Sequence, residues 1–129
     1  MRAGAKAKSV LLVEDEVELR EILAEEFEDA GYVVTQVESA EDALELLRNK
    51  RFDAVVSDLC LPGQSGFHLF SLVKKTCPIR PVFLLITGSW GITVPAEEEP
   101  PPEIEKPFLP SVLIAEVDKR LREQAACAT

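Results

Sequence analysis

Residues 53–66 read DAVVSDLCLPGQSG, and this stretch decides the fold. The run that begins at Asp53 and ends at Ser57 is short and rich in valine, which predicts a strand. It places Asp58 at the carboxyl end of that strand. The proline and glycines that follow are turn formers, so the chain leaves the sheet at this point. In open α/β sheets, ligands bind at such strand ends, which makes Asp58 a candidate functional residue.

Apolar runs alternate with amphipathic stretches on both sides of this strand, a pattern that predicts βα units around a parallel sheet. Further strands are predicted at residues 9–13, 33–37 and 82–86. Helices between and after them are predicted from apolar residues at helical spacing. The predicted apolar stripes are Leu19, Ile22, Leu23 and Phe27; Ala43, Leu44, Leu46 and Leu47; Phe67, Phe70, Val73 and Cys77; and Val112, Leu113, Ala115, Val117 and Leu121. We therefore expect a doubly wound α/β sheet with helices on both faces.

Residues 88–105, which read GSWGITVPAEEEPPPEIE, interrupt the pattern. Proline costs about 3 kcal/mol inside a helix, and three adjacent prolines favour polyproline II. We expect an atypical acidic, proline-rich loop over residues 89–105, with only a thin fifth strand around Ile104. Trp90 is expected to pack against apolar surface near this loop.

The bulk properties indicate one acidic globular domain. The chain has 129 residues, a net charge of -9 and a sequence pI of about 4.6. Such a surface repels phosphate backbones, which argues against direct nucleic-acid binding. No apolar run reaches the roughly 18 residues of a membrane helix, and the three cysteines form no C-x-x-C pair, so we expect a cytoplasmic protein with no membrane contact. The expected domain covers residues 9–124, between tails at 1–8 and 125–129.

Residues with reactive side chains follow the predicted strands. Glu14 and Asp15 follow the first strand, Asp58 the third and Thr87 the fourth, and Lys106 lies near the fifth. Like charges about 4 Å apart repel by about 4 kcal/mol at an effective dielectric of 20, so converging carboxylates need a cation. Oxygen ligands of this kind suit Mg²⁺. A hydroxyl and an ammonium group beside such a metal are suited to holding a phosphoryl group, and an ionised aspartate can act as the nucleophile.

The strings LLVEDE, VVSDLCLPGQSG, LLITG and EKPF, in this order, resemble the receiver domain of bacterial two-component response regulators. The similarity covers residues 9–89 and 106 to about 124. It implies a flavodoxin-like sheet of five parallel strands. It also implies that Asp58 is the phosphoacceptor, Thr87 the switch hydroxyl and Lys106 the phosphate-contacting lysine, with a cis peptide bond before Pro107.

The resemblance also implies a metal site and a set of partners. Mg²⁺ would be held by Glu14, Asp15, Asp58 and the backbone carbonyl of Cys60. A sensor histidine kinase or a phosphotransfer protein would donate the phosphoryl group, and a downstream protein would read it. Such a domain is not a conventional enzyme, because it catalyses the phosphorylation and dephosphorylation of its own aspartate. A small-molecule phosphatase is disfavoured, since Cys60 stands where the usual aspartyl-phosphatase pattern has a second aspartate.

The sequence departs from the family between Thr87 and Lys106. Glu103 occupies a position that is ordinarily aromatic, and the shorter spacing predicts that the fourth helix is missing or degenerate. The proline-rich loop is then either a new recognition element or a segment that only closes the gap. The alternative function is therefore a constitutive protein-interaction module whose output does not depend on phosphorylation.

Overall fold

A computed structural model describes residues 7–61, 63–77, 79–88 and 101–127, which form a five-stranded sheet and four helices. The strands are β1 (Ser9–Val13), β2 (Val33–Val37), β3 (Ala54–Asp58), β4 (Val82–Thr87) and β5 (Glu103–Glu105). The helices are α1 (Val17–Asp29), α2 (Ala40–Asn49), α3 (Gly66–Thr76) and α4 (Pro110–Cys127). All neighbouring strands are parallel, in the order β2-β1-β3-β4-β5. The predicted doubly wound, flavodoxin-like sheet is confirmed.

The central strands are continuously apolar because helices cover both faces of the sheet. Successive residues alternate between two buried clusters. The first cluster lies under α1 and α4 and includes Val10, Leu12, Val56, Leu84 and Ile86. The second lies under α2 and α3 and includes Leu11, Val13, Val55, Phe83 and Leu85. The sheet is thus packed against helices on both sides, and its strands end at defined positions between them.

The helices bury faces that differ in part from the predicted stripes. Leu23 and Phe27 of α1 are buried as predicted, but Ile22 is 53% exposed and Ala24 is buried. In α4, Leu113 and Val117 are buried, whereas the side chains of Val112 and Ala115 are exposed and Ile114 takes their place in the core. Both predicted helices are present, but Ile22, Val112 and Ala115 lie outside the core, because helical periodicity defines a stripe and not its rotation against the sheet.

Strand β5 carries acidic residues on one face only. Glu103 and Glu105 lie opposite Leu85 and Thr87 in the parallel register, and both glutamates are exposed. Ile104 points to the other face and packs against the cluster under α4. No helix occurs between β4 and β5 among the described residues. Trp90 and the rest of the predicted loop up to residue 100 lie outside them.

The last helix continues past the expected domain boundary. Helix α4 begins at Pro110, as expected, but extends to Cys127 rather than ending near residue 124. The peptide bond between Lys106 and Pro107 is cis, as the family resemblance implied. None of the helices in the described ranges is both long and apolar enough to cross a membrane.

Candidate functional site

Four strand ends bring the predicted site residues to one edge of the sheet. Glu14 directly follows β1, Asp58 ends β3, Thr87 ends β4 and Lys106 directly follows β5. Glu14, Asp58 and Thr87 are buried, with 1%, 6% and 0% of their surface exposed, while Asp15 is exposed. Buried charged and hydroxyl groups are rare in protein interiors unless they are paired or bind a ligand. Their concentration here identifies the candidate site.

Three carboxylates form the centre of the site. One carboxylate oxygen from each of Glu14, Asp15 and Asp58 lies within 4.8 Å of the others. Glu14 Oε2 accepts a hydrogen bond of 3.1 Å from the backbone N–H of Glu16, whereas Oε1 is buried and has no partner within the described part of the chain. Burial raises the pKa of Glu14 to about 7, and the negative charge of Asp58 adds to this effect.

This donor set fits a hard divalent cation. A buried carboxylate oxygen without a partner and two further carboxylates nearby would be neutralised by a cation bound among them. Mg²⁺ prefers oxygen ligands and is usually held by one or two carboxylates together with waters. Glu14, Asp15 and Asp58 could therefore hold Mg²⁺. The predicted contribution of the Cys60 carbonyl stays a prediction.

Asp58 is held through both of its side-chain oxygens. Lys106 Nζ lies 3.2 Å from Asp58 Oδ2, and the backbone N–H of Cys60 donates a hydrogen bond of 3.2 Å to Asp58 Oδ1. Burial alone would lower the pKa of Lys106, but its hydrogen bond to Asp58 and the charges of Asp58, Glu14 and Glu16 raise that pKa above its usual value. A cationic lysine thus contacts an aspartate at neutral pH.

Thr87 lies beside this pair with an unused hydroxyl group. Its Oγ1 is fully buried and has no hydrogen-bond partner among the residues described. Its backbone carbonyl accepts a hydrogen bond of 2.7 Å from the N–H of Lys106, which joins the ends of β4 and β5. Leaving a buried hydroxyl unpaired costs about 1–3 kcal/mol, so this hydroxyl is suited to a ligand oxygen that would satisfy it.

The start of α3 fixes the backbone on the other side of Asp58. The N–H of Gly66 donates to the carbonyl of Leu59 at 2.8 Å, and the Ser65 hydroxyl caps α3 by accepting a hydrogen bond from the N–H of His68. A Cβ atom at Gly66 would lie only 2.3 Å from the Asp58 carbonyl oxygen. Only glycine permits this close approach.

The sequence interpretation did not identify every residue that contacts the site. Arg20 Nη1 donates a hydrogen bond of 2.8 Å to the backbone carbonyl of Glu14. One property of the sequence could have drawn attention to it: Arg20 is the only basic residue between Lys8 and Arg48. The contact of the Cys60 N–H with Asp58 cannot be predicted from the sequence either, because almost every residue carries a backbone donor.

Comparisons with known proteins agree with the fold. The sequence profile described as "Response regulator receiver domain" matches residues 10–93. Response regulator protein FleR of Pseudomonas aeruginosa is 40% identical over 79 residues, which cover 61% of this chain and 17% of FleR. The phosphate regulon transcriptional regulatory protein PhoB of the same organism is 32% identical over 123 residues, which cover 89% of this chain and 52% of PhoB.

The chain therefore spans about half the length of PhoB and much less of FleR. Among solved structures, a putative response regulator from Chloroflexus aurantiacus is 28% identical and superimposes with a TM-score of 0.78. That similarity covers 91% of this chain and 99% of the other.

Proposed function

Because the chain belongs to the receiver domains of two-component response regulators, we propose that Asp58 accepts a phosphoryl group from a sensor histidine kinase or a phosphotransfer protein in a Mg²⁺-dependent reaction. The contact between Lys106 Nζ and Asp58 Oδ2, beside two further carboxylates, carries this proposal. Such a contact places a positive charge at a carboxylate that would become an acyl phosphate. The domain would thus catalyse a reaction on its own side chain.

The forward step transfers a phosphoryl group between two side chains. A carboxylate oxygen of Asp58 attacks the phosphorus of the donor phosphohistidine, so that an O–P bond forms and the P–N bond breaks. The electron pair of the broken bond stays on the leaving imidazole nitrogen. Asp58 reacts as the ionised carboxylate, and its contacts with Lys106 and with the N–H of Cys60 keep it oriented.

The surrounding residues stabilise the transferring group. Lys106 would neutralise charge on one phosphoryl oxygen, and the unpaired hydroxyl of Thr87 would donate a hydrogen bond to another. Glu14, Asp15, Asp58 and the Cys60 carbonyl would hold Mg²⁺, which supplies charge neutralisation at the phosphoryl oxygens.

The second reaction is hydrolysis of the acyl phosphate, in which the same residues would act. Water attacks phosphorus, the bond between phosphorus and the Asp58 oxygen breaks, and the carboxylate is regenerated. Both protons of the water leave with inorganic phosphate, as H₂PO₄⁻. Lys106 and Thr87 would contact the phosphoryl oxygens in this reaction as well.

The phosphorylated state would be read by a downstream protein. A phosphoryl group adds about 1.5–2 negative charges beside Thr87 and Lys106. Movement of these two residues would change the conformation of the chain that follows β4. Glu103 is exposed and carries no ring, so the readout proposed here does not depend on an aromatic residue at that position.

The direct test is intact mass after incubation with Mg²⁺ and acetyl phosphate. We expect a single phosphoryl adduct on the wild type that disappears when Mg²⁺ is chelated. Asp58→Asn should give no adduct, because the amide is not a nucleophile. The matched control Asp42→Asn, an exposed carboxylate on α2, should be phosphorylated like the wild type. A folded wild type that binds Mg²⁺ but gains no adduct would contradict the proposal.

A further inference from the structure

Arg20 in the first turn of α1 contacts the metal-site turn although it is not a candidate metal ligand. We propose that Arg20 is a positioning residue that holds the turn between β1 and α1 so that Glu14 and Asp15 can bind Mg²⁺ together. This inference rests on the metal site of the proposed function. It adds a residue to that site through a contact with backbone rather than with the ligand itself.

Arg20 is a single positive charge in a strongly acidic part of the sequence. The stretch between Lys8 and Arg48 contains thirteen Asp and Glu residues and Arg20 as its only cation. Arg20 also lies in the first turn of α1, where a positive charge is unfavourable beside the helix dipole. The hydrogen bond from its guanidinium to the carbonyl of Glu14 is therefore a specific contact of this single cation with the turn.

The hydrogen bonds of Arg20 connect both ends of the turn. Its guanidinium donates to the Glu14 carbonyl at 2.8 Å, while its backbone N–H donates to the Glu16 carbonyl at 2.9 Å. The N–H of Glu16 in turn donates to Glu14 Oε2 at 3.1 Å, and the N–H of Glu14 donates to the Val37 carbonyl at 3.1 Å. Glu14 is therefore held from β2 on one side and from α1 on the other.

The other acidic groups near Arg20 do not explain its position. Glu38 and Asp42 line the same open depression as Arg20, between the start of α1 and the start of α2. Arg20 forms no salt bridge with a carboxylate of the described residues. The salt bridges among those residues are Lys106–Asp58 and Arg120–Glu116. The short contact of the guanidinium with the Glu14 carbonyl is thus its specific interaction.

Loss of this contact should weaken metal binding without impairing the chemistry. Residues that orient metal ligands typically change metal affinity by about 10- to 100-fold. Since Arg20 contacts the backbone of a ligand residue, we expect the lower end, a decrease of about tenfold in Mg²⁺ affinity. Once Mg²⁺ is saturating, Asp58, Thr87 and Lys106 are unchanged, so the maximal phosphorylation rate should be retained.

The experiment compares Arg20→Met, Arg20→Lys and the control Arg48→Met with the wild type at pH 8. Mg²⁺ affinity is measured by isothermal titration calorimetry, and the rate of phosphorylation by acetyl phosphate is measured as a function of Mg²⁺. Arg20→Met should raise the dissociation constant and the half-saturating Mg²⁺ concentration about tenfold. Arg20→Lys keeps the charge but not the planar guanidinium, so its dissociation constant for Mg²⁺ should lie between those of the wild type and Arg20→Met. Arg48→Met, an exposed arginine on α2, should match the wild type.

Three outcomes would overturn the inference. If Arg20→Met folds and binds Mg²⁺ with the affinity of the wild type, the contact does not position the ligands. An equal loss in Arg48→Met would show that only net charge matters. If Arg20→Met does not fold, Arg20→Lys is used instead, and a Mg²⁺ affinity equal to that of the wild type would overturn the inference. A wild type that binds no Mg²⁺ would instead remove the metal site of the proposed function, which is a separate failure.

Discussion

At the scale of single residues, Glu14 combines deep burial with a carboxylate oxygen that has no partner among the described residues. Burial raises its pKa from 4.5 to about 7. The folded, metal-free protein therefore binds a proton in this pH range that the unfolded chain has released. By linkage, the stability of the metal-free protein decreases as pH rises from about 4.5 to about 7, and the full penalty remains above that.

Glu14→Gln should therefore stabilise the metal-free protein at alkaline pH while weakening Mg²⁺ binding. With a chelator present, we expect its thermal midpoint to exceed that of the wild type by about 5 °C at pH 8, because the buried charge is gone. At pH 5, where the wild-type carboxyl is largely protonated, the difference should nearly vanish. Thermal unfolding at both pH values measures this, with the exposed Glu25→Gln as control. A difference of equal size at both pH values would contradict the assignment.

The sequence allowed the site residues to be predicted because their positions follow from strand ends. Asp58, Thr87 and Lys106 each end or directly follow a strand, and parallel strands bring such positions together. The partner of Arg20 and the unpaired state of Glu14 Oε1 could not be predicted in this way. Both depend on the geometry of a short turn, which the residue pattern does not determine.

At the scale of elements, strands were easier to predict than helix faces. A strand buried on both sides reads as a continuous apolar run, and the strand bounds agree within one residue. A helix that packs on one side can rotate slightly to fit its neighbours, as α1 does in burying Ala24 and exposing Ile22. The sequence predicts a short fifth strand with Ile104 as its only apolar residue, and in the structure Ile104 is the residue of β5 that packs against the core.

The junction of β3 and α3 gives a prediction about an element boundary. Gly66→Ala should lower the free energy of unfolding by about 3 kcal/mol, because the new Cβ would collide with the Asp58 carbonyl and the side chain of Leu85. Ser65→Ala, which removes the cap of the same helix, should cost only about 1 kcal/mol. Urea unfolding of both variants measures the difference. If Gly66→Ala costs no more than Ser65→Ala, the close approach at Gly66 is not a tight constraint.

At the scale of the whole molecule, Tyr32, which directly precedes the edge strand β2, connects that strand to the last helix, α4. Its hydroxyl donates a hydrogen bond to Asp118 of α4, and its ring packs edge-on against Phe27, with 5.2 Å between the ring centroids. Burial, followed by the contact with Asp118, raises the pKa of Tyr32, so its hydroxyl stays a proton donor at neutral pH. Residues 86 positions apart in sequence are joined by this single bond.

Tyr32→Phe should lower the free energy of unfolding by about 1.5–3 kcal/mol, the range for a hydrogen bond to a charged group. The ring and its contact with Phe27 remain, so the loss reports on the hydrogen bond. Asp118→Asn tests the other partner, and the double variant should cost less than the sum of the two single changes. Denaturant unfolding of all three variants measures this. Simple additivity would show that the two residues do not interact.

The salt bridge between Lys106 and Asp58 joins residues 48 positions apart, and Lys106 directly follows β5, the last of the five strands in the sequence. During synthesis, a nascent chain that has passed Asp58 but not Lys106 would expose the acceptor without the cation that prepares it. Domains generally fold as units, so the site would be complete only once the chain has been extended through β5 and Lys106. A chain that stops before Lys106 would therefore lack the cation at Asp58, and we expect it not to be phosphorylated.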